Sequence, residues 1–195
     1  MVLCSWIFIA VLSTTFVLAL LYSWLKVHIS RKYFNKSCLQ EYEKDIEEYC
    51  FLLDDGIEQI AEKMNKQICY KDMKAEVFIE KENPDIICVS NKLSEQRKNF
   101  AITHELGHFL RGYESKAARN KRSLFSRISP EEQICDYYAA AILLPKKGFR
   151  KKLEEIRFDD LSDECQMNFI KDVAREKCIV QDVVYRRIEE MKLLS

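Results

Sequence analysis

Two of the chain's three histidines lie four residues apart in the stretch FAITHELGHFL, residues 100–110. In an α-helix this spacing places His104 and His108 on one side, one turn apart, while the apolar residues around them fall on the opposite side. Such a helix must be covered by other structure on its apolar side. The stretch therefore predicts a helix that packs in a core and carries a polar site on its other side.

The pattern His-Glu-x-x-His suits a catalytic metal ion. Two imidazoles one turn apart can bind the same zinc ion, and Glu105 between them can take a proton from water. The pattern is short, but it is a recognised metallopeptidase signature. The competing interpretation is a pair of histidines that cap or pair on a solvent-exposed helix. We expect His104 and His108 to be metal ligands and Glu105 to be the catalytic residue.

A catalytic zinc site needs a third protein ligand and one open position. A second helix is predicted from Pro130 to Leu144, and it carries Glu132 and Asp136 on one face. We expect Glu132 to bind the metal ion and Asp136 to hold the imidazole N–H of a ligand histidine. Ser129 and Glu132 also fit a capping box, and if Glu132 caps the helix, Glu131 becomes the third ligand. The sequence leaves this alternative open.

The amino-terminal residues have a different composition from the rest. The run from Val2 to Leu25 carries no charged side chain, and at about 1.5 Å per residue it is long enough to cross a hydrocarbon core of about 30 Å. Basic residues follow the run and none precedes it, which directs the rest of the chain into the cytoplasm. The sequence thus predicts a transmembrane anchor at residues 1–25, a juxtamembrane linker at 26–39 and a catalytic domain at 40–195. The expected location is the cell membrane, crossed once.

The remainder of the chain favours helices. Only 4 glycines and 3 prolines occur in 195 residues, which argues against a turn-rich β-sandwich. The predicted elements are a helix over residues 37–68, strands at AEVFIE and DIICVS, and helices over 146–157, 163–177 and 180–193. A net charge of zero gives no reason to expect direct binding of nucleic acid. The eight cysteines form no Cys-x-x-Cys pair, which favours reduced thiols over disulfides or a zinc knuckle.

FAITHELGHFL and EEQICDYYAAAILLP together resemble the ImmA/IrrE family of zinc-dependent endopeptidases. The likeness covers roughly residues 40–194 and leaves the amino-terminal run outside it. It implies a mostly helical α+β fold, namely a zincin-like metallopeptidase domain with a small β-sheet, here preceded by one transmembrane helix. By position it implies zinc ligands at His104, His108 and Glu132 and a general base at Glu105. Cys135 departs from the family, which usually has alanine there, and it lies close to the ligand face.

Members of the family cleave helix-turn-helix repressors. The resemblance therefore implies a membrane-anchored zinc endopeptidase that hydrolyses a peptide bond in a protein, namely a DNA-binding repressor of a mobile element or a stress response. The alternative is a non-catalytic zinc-binding module with the same fold, tethered to the membrane as a sensor or interaction protein. Glu105 favours the enzyme, because a purely structural zinc site has no use for a base.

Overall fold

The structure, a computed structural model, describes residues 34–49, 56–80, 82–112 and 129–194. Within these ranges the chain forms seven α-helices, three β-strands and one 3-10 turn. In chain order the elements are α1 (Lys36–Glu47), α2 (Ile57–Lys63), β1 (Gln67–Lys71), β2 (Val77–Ile79), β3 (Ile86–Ser90), α3 (Glu95–Leu110), α4 (Pro130–Leu143), α5 (Lys146–Glu155), the 3-10 turn (Phe158–Asp160), α6 (Asp163–Glu176) and α7 (Gln181–Leu193).

The three strands form one small sheet in the order β1-β3-β2. β2 and β3 are antiparallel, with Phe78 opposite Cys88, which confirms the two strands predicted from AEVFIE and DIICVS. Asn83 closes the turn between them, because its carbonyl accepts from the Ile86 N–H at 3.1 Å and its side chain accepts from the Asp85 N–H at 3.2 Å. β3 is the central strand and is almost wholly buried, as its continuous apolar run indicates.

The helix predicted over residues 37–68 is wrong in extent. The structure has two separate helices there, α1 and α2, followed by β1, which pairs in parallel with β3. Asn65 has a φ of 57°, a left-handed conformation that commonly ends helices and that asparagine adopts more readily than most residues. The sequence does not predict β1 because this half-exposed edge strand is defined by its pairing with β3, which comes later in the chain.

The contact between α3 and α4 is the most extensive between any two described elements. α3 buries Ile102 and Leu106 in the hydrophobic core, and β3 packs against the same helix. α1 packs on α4, where the ring of Tyr42 contacts the rings of Tyr137 and Tyr138. The two helices that carry the predicted site residues are therefore held at the centre of the fold.

The three helices predicted after Pro145 are confirmed as α5, α6 and α7, with ends that differ by one or two residues. Ser162 caps α6, where its side chain accepts from the Cys165 N–H at 3.4 Å. α7 packs against α4 and α6, so the carboxyl-terminal helices complete the core around the central pair.

The predicted membrane-anchored fold class needs correction. None of the described helices is long and apolar enough to cross a bilayer. The longest, α3, has 16 residues and therefore spans about 24 Å, which is less than a hydrocarbon core of about 30 Å. The fold is a mostly helical α+β domain with a three-stranded sheet, and the same finding overturns the predicted single-pass location in the cell membrane. The run from Val2 to Leu25, on which both predictions depend, lies outside the described residues.

Candidate active site

α3 places His104 and His108 one turn apart, with their Nε2 atoms 3.2 Å from each other. Both residues are buried, with 0% of His104 and 3% of His108 exposed. The alternative of two histidines on a solvent-exposed helix is therefore wrong. Two imidazole nitrogens directed at one buried point are the arrangement that a shared metal ion requires.

Glu132 and Asp136 face these histidines from α4. Glu132 Oε2 lies 3.5 Å from His104 Nε2, and Glu132 Oε1 lies 3.5 Å from His108 Nε2. Asp136 Oδ1 lies 2.7 Å from His104 Nδ1, within ion-pair distance. Asp136 therefore faces Nδ1 of His104, while Nε2 of the same ring faces His108 and Glu132.

The structure bears on the choice between Glu131 and Glu132. Glu131 is exposed, whereas the Glu132 side chain is only 14% exposed and lies against both histidines. Ser129 precedes α4 as its N-cap, but its side chain makes no capping hydrogen bond. The capping box that competes for Glu132 is thus incomplete, and the geometry favours Glu132 over Glu131 as the candidate third ligand.

The three donor groups have the spacing of a tetrahedral metal site. Bonds of about 2.0–2.1 Å from zinc to nitrogen or oxygen place any two tetrahedral ligand atoms roughly 3.3–3.4 Å apart. The observed separations are 3.2 Å between the two Nε2 atoms and 3.5 Å from each of them to a Glu132 oxygen. His104, His108 and Glu132 therefore fit a zinc ion and leave a fourth position for another ligand.

Cys135 is a further donor at the same place. One ligand atom from each of His104, His108 and Cys135 lies within 4.8 Å of the others, and Cys135 is fully buried. Two sets of three donors thus share the histidine pair. We favour Glu132 for the third position, because its oxygens lie 3.5 Å from the Nε2 atoms of both histidines, close to the tetrahedral spacing.

Glu105 follows His104 on α3 and is 1% exposed. Glu105 is not in the group of side chains that share the histidine pair. Burial separates this carboxylate from bulk solvent, which suits a base that acts on a single water molecule inside a site.

Gly107 permits the close contact that assembles the site. A Cβ atom at position 107 would lie 2.9 Å from the Cβ of Tyr138 and 3.2 Å from the backbone oxygen of Cys135. The first distance is shorter than real Cβ contacts, so any other residue at 107 would push α3 and α4 apart. A glycine beside His108 thereby allows α4 to bring its acidic side chains up to the histidines.

A buried ionic cluster beside the core of α4 is not predicted by the sequence. Arg187 of α7, fully buried, donates to both carboxylate oxygens of Glu43 of α1, at 2.7 and 3.0 Å, and to the Leu144 carbonyl at 3.0 Å. The Tyr137 hydroxyl donates to the same carboxylate. Burial by itself lowers the pKa of Arg187, but the Glu43 carboxylate outweighs it and holds that pKa above its ordinary value.

The sequence does contain a sign of this cluster, namely that Arg187 and Glu43 each lie on the apolar face of a helix. Arg187 follows Val183 by four residues and precedes Met191 by four, so it falls within the apolar stripe of α7. Glu43 is four residues after Leu39, which is likewise buried. A charged residue in an apolar stripe indicates a buried ion pair, because an unpaired buried charge is too costly.

Tyr138 makes a similar contact with α1. Its hydroxyl donates to Asp45, and Arg111 at the end of α3 lies 3.5 Å from the same carboxylate. Burial raises the pKa of Tyr137 and of Tyr138 above the ordinary tyrosine value, and the neighbouring carboxylates raise both further. Both hydroxyls therefore join α1 to α4.

Comparison with known proteins adds to this geometry. Residues 55–172, more than half of the chain, match the profile of peptidase family M78, described as the IrrE N-terminal-like domain. No curated protein matches the chain significantly.

Solved structures also match. A Mycobacterium tuberculosis transcriptional regulator superposes with a TM-score of 0.56 at 16% sequence identity, and the alignment covers 85% of this chain and 51% of that one. At this identity the likeness shows a shared fold alone. The chain aligns with about half the length of that regulator.

Proposed function

Because the chain belongs to peptidase family M78, the family of the IrrE N-terminal-like domain, we propose that it is a zinc-dependent metallo-endopeptidase that acts on a protein. Membership confirms the ImmA/IrrE resemblance seen in the two motifs, and a metallopeptidase-like protein follows from it. The choice of zinc, the roles of individual residues and the substrate are the proposal.

The observation that carries the proposal is the convergence of three donors from two helices. His104 Nε2, His108 Nε2 and the Glu132 carboxylate lie 3.2–3.5 Å from one another, as ligands of one tetrahedral ion do. A zinc ion bound there would polarise the carbonyl of the scissile peptide and make water more acidic.

The remaining chemistry belongs to the chain's own side chains. Glu105 acts as general base, taking a proton from the attacking water and later returning it to the leaving amine. Asp136, whose Oδ1 lies 2.7 Å from His104 Nδ1, would hold that ring in one orientation when the metal is bound. Burial of His104 and Glu105 excludes bulk water and strengthens the electrostatic interactions within the site.

The substrate class rests on resemblance. Members of the ImmA/IrrE family cleave helix-turn-helix repressors, and one of the solved structures with this fold is named a transcriptional regulator. We therefore expect the substrate to be a DNA-binding repressor, cut in its linker or in a helical region so that it no longer dimerises or binds DNA.

The test compares wild type with Glu105→Gln on a repressor encoded beside this gene, with products identified by mass spectrometry. General acid–base catalysis contributes about 10²- to 10⁴-fold, so cleavage by the variant should fall by at least that factor. Zinc content should not change, because Glu105 is not among the donors. Glu95→Gln, at a 69% exposed position in the first turn of the same helix, is the matched control and should leave both quantities unchanged.

Two outcomes would contradict the proposal. Equal cleavage by wild type and Glu105→Gln would remove Glu105 from the mechanism. A zinc-loaded wild type that binds such a repressor tightly but does not cleave it would favour the non-catalytic zinc-binding module.

A further inference from the structure

Cys135 lies beside the proposed metal ligands, yet the peptidase mechanism gives it no role. The residue is fully buried, and a ligand atom from it lies within 4.8 Å of ligand atoms of His104 and His108. Among the described cysteines, it is the one grouped with these histidines. The neighbouring histidine pair and the Glu132 carboxylate make this more than an isolated thiol.

The packing of α3 on α4 explains the position of Cys135. Glu132, Cys135 and Asp136 are separated by three and four residues, so they share one side of α4. A Cβ atom at Gly107 would lie 3.3 Å from the Cα of Cys135. Position 135 is therefore set against the turn of α3 that carries the histidines.

The thiol can occupy the one ligand position that the other donors leave. A catalytic zinc site leaves its fourth position to water, whereas four protein ligands make a closed site. Sulfur binds zinc at about 2.3 Å, which places it roughly 3.5 Å from the nitrogen ligands of a tetrahedral site. The Cys135 sulfur lies within 4.8 Å of a ring nitrogen of each histidine, an upper limit that includes this distance.

We propose that Cys135 is the fourth protein ligand of the metal ion and that its sulfur holds the resting site closed. This inference rests on the proposed function and adds a regulation of the same site. When the sulfur coordinates, its S–H bond breaks, the proton passes to solvent and a water molecule leaves the site. The closed site has no position for the attacking water, so the wild type cleaves only through the fraction of chains in which the sulfur is displaced.

Replacing zinc with cobalt(II) allows sulfur ligation to be detected by absorption spectroscopy. Thiolate ligation to cobalt(II) gives a charge-transfer band in the near ultraviolet, whereas nitrogen and oxygen ligands give only the visible ligand-field bands. We expect the cobalt-loaded 195-residue chain to show both. Cys135→Ala should lose the near-ultraviolet band and keep the visible bands.

Two further variants control this experiment. Cys88→Ala alters another fully buried cysteine and should keep the near-ultraviolet band. Cys135→Ser is closer in size to the natural residue and should lose the band, so that the loss does not depend on a cavity in the core.

Acetohydroxamate tests whether the site is closed, because it binds the metal ion only at an open position. It should shift the visible bands of cobalt-loaded Cys135→Ala at concentrations that leave those of the wild type unchanged. Equal shifts in the two proteins would contradict the proposal that the Cys135 sulfur occupies the fourth ligand position.

The remaining outcomes separate this inference from the proposed function. Visible bands without a near-ultraviolet band in the wild type would overturn the inference and leave the metal site intact. A near-ultraviolet band that persists in Cys135→Ala would assign the sulfur to another cysteine and also overturn it. A wild-type chain that binds neither cobalt nor zinc would overturn the inference and the proposed function together.

Discussion

His104 has a different partner at each of its ring nitrogens, and this difference decides what the ring can bind. Nδ1 lies 2.7 Å from Asp136 Oδ1, whereas Nε2 lies 3.2 Å from His108 Nε2 and 3.5 Å from Glu132 Oε2. A neutral imidazole held in one tautomer is the form that binds a metal ion. Asp136, one helical turn after Glu132 on α4, thus orients His104 for metal binding. The position of His104 on α3 does not by itself determine which of its ring nitrogens faces the metal ion.

Substitution of the two neighbouring glutamates tests which one is the third ligand. Purified wild type should carry about one zinc ion per chain, as a site with one tetrahedral ion implies. Glu132→Ala should bind zinc more weakly and carry less of it after dialysis, because it removes the oxygens that lie 3.5 Å from both histidines. Glu131→Ala, at an exposed position, is the matched control and should retain it. The reverse result, measured by metal analysis, would reassign the ligand.

At the scale of elements, the site depends on how closely α3 and α4 approach each other. Neither helix holds a complete set of donors, because the histidines belong to α3 and the carboxylates to α4. Gly107 sets the separation, since the backbone of α4 occupies the space that a side chain at 107 would need. The glycine is therefore as much a part of the site as the residues that it brings together.

Gly107→Ala should destabilise the fold by about 1–3 kcal/mol, the usual cost of overpacking a core. The added Cβ would lie 2.9 Å from the Cβ of Tyr138, so the helices must separate. Gly56→Ala is the matched control, because a Cβ there meets nothing closer than 3.8 Å, and its cost at a helix N-cap should stay below about 1 kcal/mol. Urea unfolding of both variants measures the difference. Equal midpoints would show that α3 and α4 can move apart freely.

At the scale of the whole molecule, a buried ionic cluster joins the two ends of the described chain. Glu43 in α1 and Arg187 in α7 are 144 residues apart in sequence and form a two-bond ion pair. The Arg187 Nε–H also donates to the Leu144 carbonyl, just beyond the end of α4. One guanidinium thereby holds α1, α4 and α7 together behind the candidate site.

Glu43→Gln should destabilise the fold by about 3–5 kcal/mol, because it breaks the two-bond ion pair of the buried Arg187 and leaves it the more distant Glu190 carboxylate, 3.5 Å away. The matched control is Glu176→Gln, which breaks a pair with Lys152 whose two side chains are 50% and 32% exposed. That change should cost no more than about 1 kcal/mol. Chemical denaturation measures both, and similar losses in the two variants would contradict the importance of the buried cluster.

The buried hydroxyls of Tyr137 and Tyr138 affect how the free energy of unfolding changes at alkaline pH. Burial raises the pKa of Tyr137 and of Tyr138 above their unfolded value near 10, so above that pH the unfolded chain loses protons that the folded chain keeps. The contribution of these tyrosines to the free energy of unfolding is therefore complete below about pH 10. Above that pH the free energy of unfolding falls by about 1.4 kcal/mol per pH unit for each tyrosine.

The unfolding free energy between pH 9 and 11 measures this slope. Tyr138→Phe should flatten it by the contribution of one tyrosine. Between pH 7 and 9 the same substitution should leave the slope unchanged, which serves as the internal control. An unaltered slope above pH 10 would mean that the Tyr138 hydroxyl ionises as easily in the folded chain as in the unfolded one.

The sequence by itself determined which residues share one face of a helix or strand, because this depends only on the spacing of residues within a short segment. The spacing of His104 and His108 fixes them on one side of a helix, because helical geometry relates residues four apart wherever the helix lies. The same reasoning put Glu132 and Asp136 on one face of α4, and alternation and turn residues gave the β2–β3 hairpin. The length of a helix is less secure, since the predicted helix over residues 37–68 covers α1, α2 and the first two residues of β1.

Only the tertiary structure decided how these pieces meet. The spacing of residues along the chain does not predict that Glu132 lies 3.5 Å from two histidines on another helix. It also does not predict that Glu43 pairs with Arg187. These contacts join segments far apart in the chain, and they form because burying the apolar sides of α1, α3, α4 and α7 forces particular polar groups to meet. Local spacing can assign a residue to a helix face, but only the packing of whole elements determines which face it meets.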